Sequence, residues 1–228
     1  MTALDDKTIV KDYFNSVGFD RWRRIYSQAQ VSKVQLDIRT GHQQTVDTVM
    51  GWLESDRNLS QITVCDAGCG VGSLSIPLAQ AGTRVYASDI SEKMVAEGKD
   101  IALAVTGNSN NPAFLVQDLE KLAGRYHTVI CLDVLIHYPD AEIPQMIAHL
   151  CSLAESRLIL SFAPKTRALS LLKKIGGFFP GSSKATRAYL HPESAIVEIL
   201  AKNGFQIQRD AMTKTSFYFS RLLEAKRV

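Results

Sequence analysis

The 228-residue sequence predicts a single α/β domain on a mainly parallel sheet that closes in an antiparallel hairpin. Three observations predict it. Strand-like apolar runs alternate with helical patterns between Ile62 and Phe162, an arrangement that needs right-handed crossovers and a parallel sheet. One of those strands runs into Gly68, Gly70 and Gly72 before a helix begins. Residues 205–211 and 217–223 then form two strands with too short a gap for a crossover, so they must pair antiparallel.

Composition agrees with this class. A content of 46% hydrophobic and 21% charged residues supplies a real core and excludes a disordered or fibrous chain. Twenty-six basic against 23 acidic side chains leave a net charge of only +3, so nucleic acid is not expected as a partner. Cys65, Cys69, Cys131 and Cys151 fit neither a disulfide framework nor a zinc spacing, which favours a reducing compartment and no bound metal. The N-terminus lacks the basic start and apolar run of a secretory signal, and no stretch reaches the ~18 apolar residues of a membrane span, so a cytoplasmic protein is expected.

Taken in order, the first elements are helical. Apolar residues at Ile9, Val10, Tyr13, Phe14 and Val17, at Trp22, Ile25, Tyr26 and Ala29, and at Val46, Val49, Met50 and Leu53 predict about three helices. Gly18 and Gly41 are expected breaks, with Asp20 and Thr40 as helix starts beside them. Strands follow at 62–66, 84–88, 113–117, 126–132 and 157–162, with helices at 73–81, from Ser91 to about Val105, and at 141–153. A last helix at 196–202 stops at Gly204. Residues 163–192 are too long for a simple connection. Between Glu155 and Glu193 the chain carries seven Lys or Arg and no acid, together with Gly176-Gly177-Phe178-Phe179-Pro180-Gly181, which predicts a lid or binding arm.

The glycine loop carries the first chemistry. Glycines after a strand let the backbone turn tightly and approach a nucleotide without a Cβ in the way. The dinucleotide fingerprint is G-x-G-x-x-G, whereas here Asp66-Ala-Gly-Cys-Gly-Val-Gly72 is one residue shorter, which argues against NAD. Asp89 stands 21 positions after Gly68 at the end of the second strand, where a carboxylate can accept both ribose hydroxyls.

The run Val64-Cys-Asp-Ala-Gly-Cys-Gly-Val-Gly72 with Asp89 resembles the cofactor motif of class I S-adenosylmethionine-dependent methyltransferases, over about residues 62–223. That resemblance implies a Rossmann-like, seven-stranded sheet with an antiparallel last strand. It also implies a cofactor site of Asp66, Gly68, Gly70, Gly72, Asp89, Ile90 and Leu132, with Asp118 and Leu119 of Gln117-Asp118-Leu119 on the adenine. Gly18-Phe-Asp-Arg-Trp-Arg-Arg-Ile-Tyr26 and Val34-Gln-Leu-Asp-Ile-Arg-Thr-Gly-His-Gln-Gln-Thr45 are similar to the N-terminal signature of the magnesium-protoporphyrin IX O-methyltransferases of chlorophyll synthesis. The implied substrate is magnesium protoporphyrin IX, and the products are its monomethyl ester and S-adenosylhomocysteine. The implied organisation is a helical arm at 1–60 and a cofactor domain at 61–228, with a substrate lid at about 164–191. A monomer is expected, with a magnesium chelatase subunit as candidate partner and at most peripheral contact with photosynthetic membranes.

A flat apolar macrocycle needs aromatic enclosure, for which Trp22, Phe178 and Phe179 are the candidates, although Trp22 equally reads as core packing. A propionate is already ionised at neutral pH, so catalysis should consist mainly of alignment. His137, just past the fourth strand in Leu132-Asp-Val-Leu-Ile-His137-Tyr138-Pro139, is the first candidate aligner, with a structural histidine as the alternative. Tyr26 is the second catalytic candidate. Two competing functions remain open: methylation of another apolar small molecule such as a quinone or lipid acid, and a non-catalytic tetrapyrrole-binding scaffold.

Overall fold

The computed structural model describes residues 3–26, 29–56, 59–108, 110–166 and 188–228. Among them a seven-stranded sheet has the order β3-β2-β1-β4-β5-β7-β6. The strands are β1 (Thr63–Ala67), β2 (Arg84–Asp89), β3 (Ala113–Val116), β4 (Tyr126–Cys131), β5 (Ala154–Phe162), β6 (Phe205–Lys214) and β7 (Phe219–Arg227). Strands β1 to β5 are parallel, and β7 runs antiparallel to both β5 and β6. The strand order reverses between β1 and β4, and a crevice opens there at the carboxyl ends of the strands.

Neighbouring strand residues feed opposite cores. Cys65, Val129, Leu158 and Leu160 join one buried cluster, while Val64, Ile130 and Ile159 join the other. This period of two requires helices on both faces. Helices α6 (Ile143–Leu153) and α7 (Glu193–Lys202) cover the first face; α3 (Lys33–Asp56), α4 (Ser75–Gln80) and α5 (Glu92–Thr106) cover the second. Helix α5 starts where the Ser91 hydroxyl accepts from the Met94 N–H and ends at Gly107 in the left-handed region, φ 66°.

Helices α1 (Ala3–Phe14) and α2 (Val17–Tyr26) complete the three expected before the first strand, but their boundaries correct the expected breaks. Gly41 and Thr40 lie inside α3. A Cβ on Gly41 would sit 2.4 Å from the Tyr218 ring, so this glycine serves the docking of the C-terminal hairpin, not a turn. Gly18 and Asp20 likewise lie within α2, whose start is Val17. The helical region over 1–60 therefore divides: α3 sends Val46, Val49 and Leu53 into the second core, leaving α1 and α2 as the arm. The expected lid, with Phe178 and Phe179, lies almost wholly outside the described residues. Its two roots meet, however: the Lys165 N–H donates to the His191 carbonyl and the His191 N–H to that of Ala163, both at 2.9 Å. All four cysteines are buried and unpaired, and the described residues contain no metal-ligand cluster.

Candidate active site

The crevice above β1 and β4 is a cleft of about 970 Å3 counted to its open mouth. Its floor is the glycine loop. The Gly68 and Cys69 N–H groups both donate to the Ser88 carbonyl, at 2.8 and 2.9 Å, which folds the loop back over β2. Gly68, Gly70 and Gly72 all have positive φ, at 89°, 54° and 85°, where side chains are strained. Their surroundings separate their roles. A Cβ on Gly70 would meet nothing nearer than Tyr26, 3.9 Å away, so this glycine keeps the cleft open. On Gly68 it would strike Val134 Cγ2 at 2.1 Å, and on Gly72 the Phe114 ring at 2.8 Å. Gly72 thus packs against Phe114 and Ile76 and is not among the residues that line the cleft.

Asp66 lies in β1, two residues before the first glycine of the loop. It is buried beneath the loop and accepts from the Ser75 hydroxyl at 2.5 Å, without reaching the cleft. Burial raises its carboxyl to about 6. Asp89 does reach the cleft, beside Ile90. Its carboxylate accepts from the N–H groups of Gly70 (3.0 Å) and Ser91 (2.8 Å), so it is fixed across the loop mouth; burial raises its pKa against those donors. Asp118 and Leu119 line the far end. Asp118 Oδ1 is buried with no hydrogen-bond partner, and Lys7 of α1 pairs with both Asp118 and Glu120. Leu132 borders the cleft after β4.

These residues fit the S-adenosylmethionine that the sequence resemblance implies. An orphaned carboxylate oxygen is costly unless a ligand donor meets it, and an adenine amino group is such a donor. Gly70 gives a backbone surface that a Cβ would obstruct, and Asp89 offers paired acceptors to ribose hydroxyls.

The arm also lines the cleft. Tyr26, Phe14 and Val10 come from α1 and α2, and His137 and Tyr138 from the turn after β4. Phe14 meets His137 edge-on at 5.7 Å, and Trp22 stacks on Tyr26 at 5.6 Å. Trp22 supports the cleft from behind, its indole N–H buried without a partner. Burial lowers the His137 imidazole to about 4, against a smaller opposing pull from Asp133, so the ring is neutral at pH 7. Its Nδ1 is buried and unpartnered. Burial and the Asp133 and Asp89 charges push the Tyr26 hydroxyl far up, so it stays a phenol and a donor.

Two groups at the site escaped the sequence reading. Lys7 carried no signal, because a lysine on a short helix looks like any solvated charge. Asp133 carried one: it follows Leu132 at the carboxyl end of β4, where ligand-facing residues collect. It sits at φ 58° and accepts from His42 Nδ1 (2.9 Å), Tyr218 (2.7 Å) and Ser161 (2.9 Å). Although burial works against its charge, these donors hold the carboxyl below its usual range.

Comparison with known proteins agrees with the geometry. The family described as magnesium-protoporphyrin IX methyltransferase C-terminus matches residues 131–227, and a general methyltransferase domain family matches residues 64–156. The magnesium-protoporphyrin O-methyltransferase of Synechocystis is 67% identical over 99% of this chain and 98% of its own. The chloroplastic magnesium protoporphyrin IX methyltransferase of Arabidopsis thaliana is 58% identical over 96% of this chain and 71% of its own. A crystal structure of magnesium protoporphyrin IX methyltransferase from Synechocystis PCC 6803 with bound S-adenosylhomocysteine (SAH) superposes with a TM-score of 0.90 at 64% identity, covering 97% of this chain and 100% of that one.

Proposed function

The chain belongs to the magnesium-protoporphyrin O-methyltransferase family, and from that premise we propose that it esterifies one propionate of magnesium protoporphyrin IX with the methyl group of S-adenosylmethionine. The observation that carries this reading is the pairing of two chemistries across one cleft: acceptors for a nucleoside on Asp89 and Asp118, and a neutral imidazole with a phenol facing them. Incubation with labelled S-adenosylmethionine and magnesium protoporphyrin tests it. The product should gain the mass of one methyl ester, and a folded protein that leaves the porphyrin unchanged would refute the assignment.

The cofactor supplies a methyl group that is already electrophilic on its sulfonium. The protein's share is to hold, aim and dry the nucleophile. Asp89 holds the ribose hydroxyls, Asp118 and the Leu119 backbone hold the adenine, and Gly68, Gly70, Ile90 and Leu132 form the surface beneath. His137 donates from its one N–H to a carboxylate oxygen and leaves the other oxygen free to attack. Its low basicity suits this role, because an imidazolium would tie up the carboxylate as an ion pair. The ring's other nitrogen, which carries no hydrogen, can take the proton of a propionic acid that arrives unionised, since the two pKa values are comparable. Tyr26, which also lines the cleft, donates its hydroxyl to the substrate. Phe14, Trp22 and Tyr26 exclude water, which strengthens each of these contacts. Holding reactants in near-attack geometry supplies about 7–11 kcal/mol of barrier lowering, enough to leave no need for a strong base.

The basic, Phe-bearing segment with Phe178 and Phe179 is the candidate cover for the macrocycle and its second propionate. Delivery of substrate by a magnesium chelatase subunit, action as a monomer, and a cytoplasmic location at photosynthetic membranes belong to the same proposal. No helix among the described residues is long and apolar enough to cross a membrane.

A further inference from the structure

His42 lies on α3, outside the cleft wall, yet three parts of the site converge on its ring. Its Nδ1 is 2.9 Å from Asp133 Oδ2, its Nε2 is 2.9 Å from Ser73 Oγ at the end of the glycine loop, and the Tyr26 ring centroid is 4.9 Å away. A carboxylate only accepts, so Nδ1 carries a hydrogen toward Asp133, and in the neutral ring Nε2 accepts from the Ser73 hydroxyl. The order Asp133, His42, Ser73 is that of an activated nucleophile. Nucleophilic chemistry does not follow from it, because Ser73 and His42 lie behind the Tyr26 ring and not in the cleft wall, so the hydroxyl faces no substrate.

What the ring does is connect. Asp133 holds a left-handed conformation at φ 58°, which persists only where surrounding contacts over-determine it. The Asp133 turn brings Leu132 and Val134 to the cleft, and Val134 is the side chain against which Gly68 fits. On its other face His42 carries Tyr26, whose hydroxyl has no hydrogen bond among the described residues and so depends on ring packing for its aim.

We infer that His42 is a positioning residue for methyl transfer: it locks the Asp133 turn to the glycine loop and gives the Tyr26 ring the surface from which its hydroxyl is aimed into the cleft. This rests on the role proposed above for Tyr26. It assigns function to a side chain that touches neither cofactor nor substrate.

A double-mutant cycle over His42→Ala and Tyr26→Phe separates positioning from plain structural support. The readouts are kcat, KM for magnesium protoporphyrin, the SAH dissociation constant by calorimetry, and Tm. Each single variant should lower kcat about tenfold or more, while in the Tyr26→Phe background His42→Ala should cost only about twofold further, because no hydroxyl remains to be aimed. His42→Asn, whose amide can still donate to Asp133, should recover most of kcat, and it also serves if His42→Ala fails to fold. Losses that simply multiply, parent-like kcat in folded His42→Ala, or an Asn variant no better than Ala would overturn the inference. If Tyr26→Phe is itself silent, the Tyr26 assignment fails and takes the inference with it. If Tyr26→Phe is damaging and the two losses are independent, only the His42 inference falls.

Discussion

At His137 desolvation outweighs the attraction of Asp133, and the uncharged ring wins. The imidazole should therefore titrate in the folded protein near 4, against an ordinary value near 6.5, and NMR of the ring protons reads this directly. A midpoint near 6.5 would mean that the ring is solvated and that a charged donor must be considered. His137→Ala should lower kcat and kcat/KM together, by roughly 10²-fold for loss of a group acting mainly in the transition state, while the SAH dissociation constant stays near that of the parent. Asp66 carries the opposite sign. Its carboxyl is raised from 3.8 to about 6, so between those values the native state keeps a proton that the unfolded chain has released, and stability falls as pH rises through the window. Asp66→Asn keeps an acceptor for Ser75 and removes the buried charge. It should be more stable than the parent by about 1–3 kcal/mol in urea titrations at pH 7.5, with the gain vanishing near pH 4. Equal stability at both pH values would show that Asp66 ionises without cost. The sequence marked Asp66 by its place before the glycines, but it could not show that Ser75 of α4 takes up the carboxylate.

The glycine loop shows what spacing can and cannot reveal. Three glycines after a strand predict a ligand loop, and the loop is there; which glycine faces the ligand depends on residues far along the chain. Val134 stands over Gly68, and Phe114 over Gly72 and Gly98, whereas only Tyr26 approaches Gly70. These neighbours convert into contrasting outcomes. Gly70→Ala meets no atom closer than 3.9 Å, so it should fold with a backbone penalty of about 1–2 kcal/mol and lose SAH binding. Gly72→Ala drives a Cβ to 2.8 Å from the Phe114 ring and should lower Tm far more, with affinity falling only as the folded fraction falls. Thermal unfolding with and without SAH distinguishes them, and the reverse pattern would reassign the two glycines. For Gly68→Ala the obstacle is a methyl group of Val134, so a second substitution, Val134→Ala, should recover part of the lost stability. The same blindness explains the misplaced break at Gly41, since the Tyr218 ring that demands it arrives 177 residues later.

The parallel sheet, its glycine loop and the terminal hairpin were legible because local patterning specifies them; the closure of the arm over the cleft was not, because its contacts join residues with no pattern in common. Lys7 reaches Asp118 and Glu120, Asn15 and the Phe14 carbonyl receive the Ser91 hydroxyl, and Arg23 meets Glu97. These are surface or half-buried polar contacts, and such ion pairs stabilise by at most about 1 kcal/mol each. Buried apolar anchoring of the arm is small beside that of the sheet, with Tyr13 and Ile25 the buried large side chains among its described residues. The arm is consequently the low-stability unit of the described fold, and it should open without global unfolding. A ligand gripped between the arm and the Asp89–Asp118 wall must be released before the arm can open, so SAH at 100 times its dissociation constant should raise the cost of opening by about 2.7 kcal/mol. Amides of α1 and α2 should then exchange about 100-fold more slowly with SAH present, whereas those of β1 and β4, already limited by global unfolding, change only with overall stability. Lys7→Ala should keep the fold and return part of that protection, because it removes one strut and leaves Asp118 free for the adenine. Exchange in α1 that ignores SAH would show that the arm does not cover the cofactor, and that the Tyr26 hydroxyl reaches the cleft from a frame that ligand binding leaves unchanged.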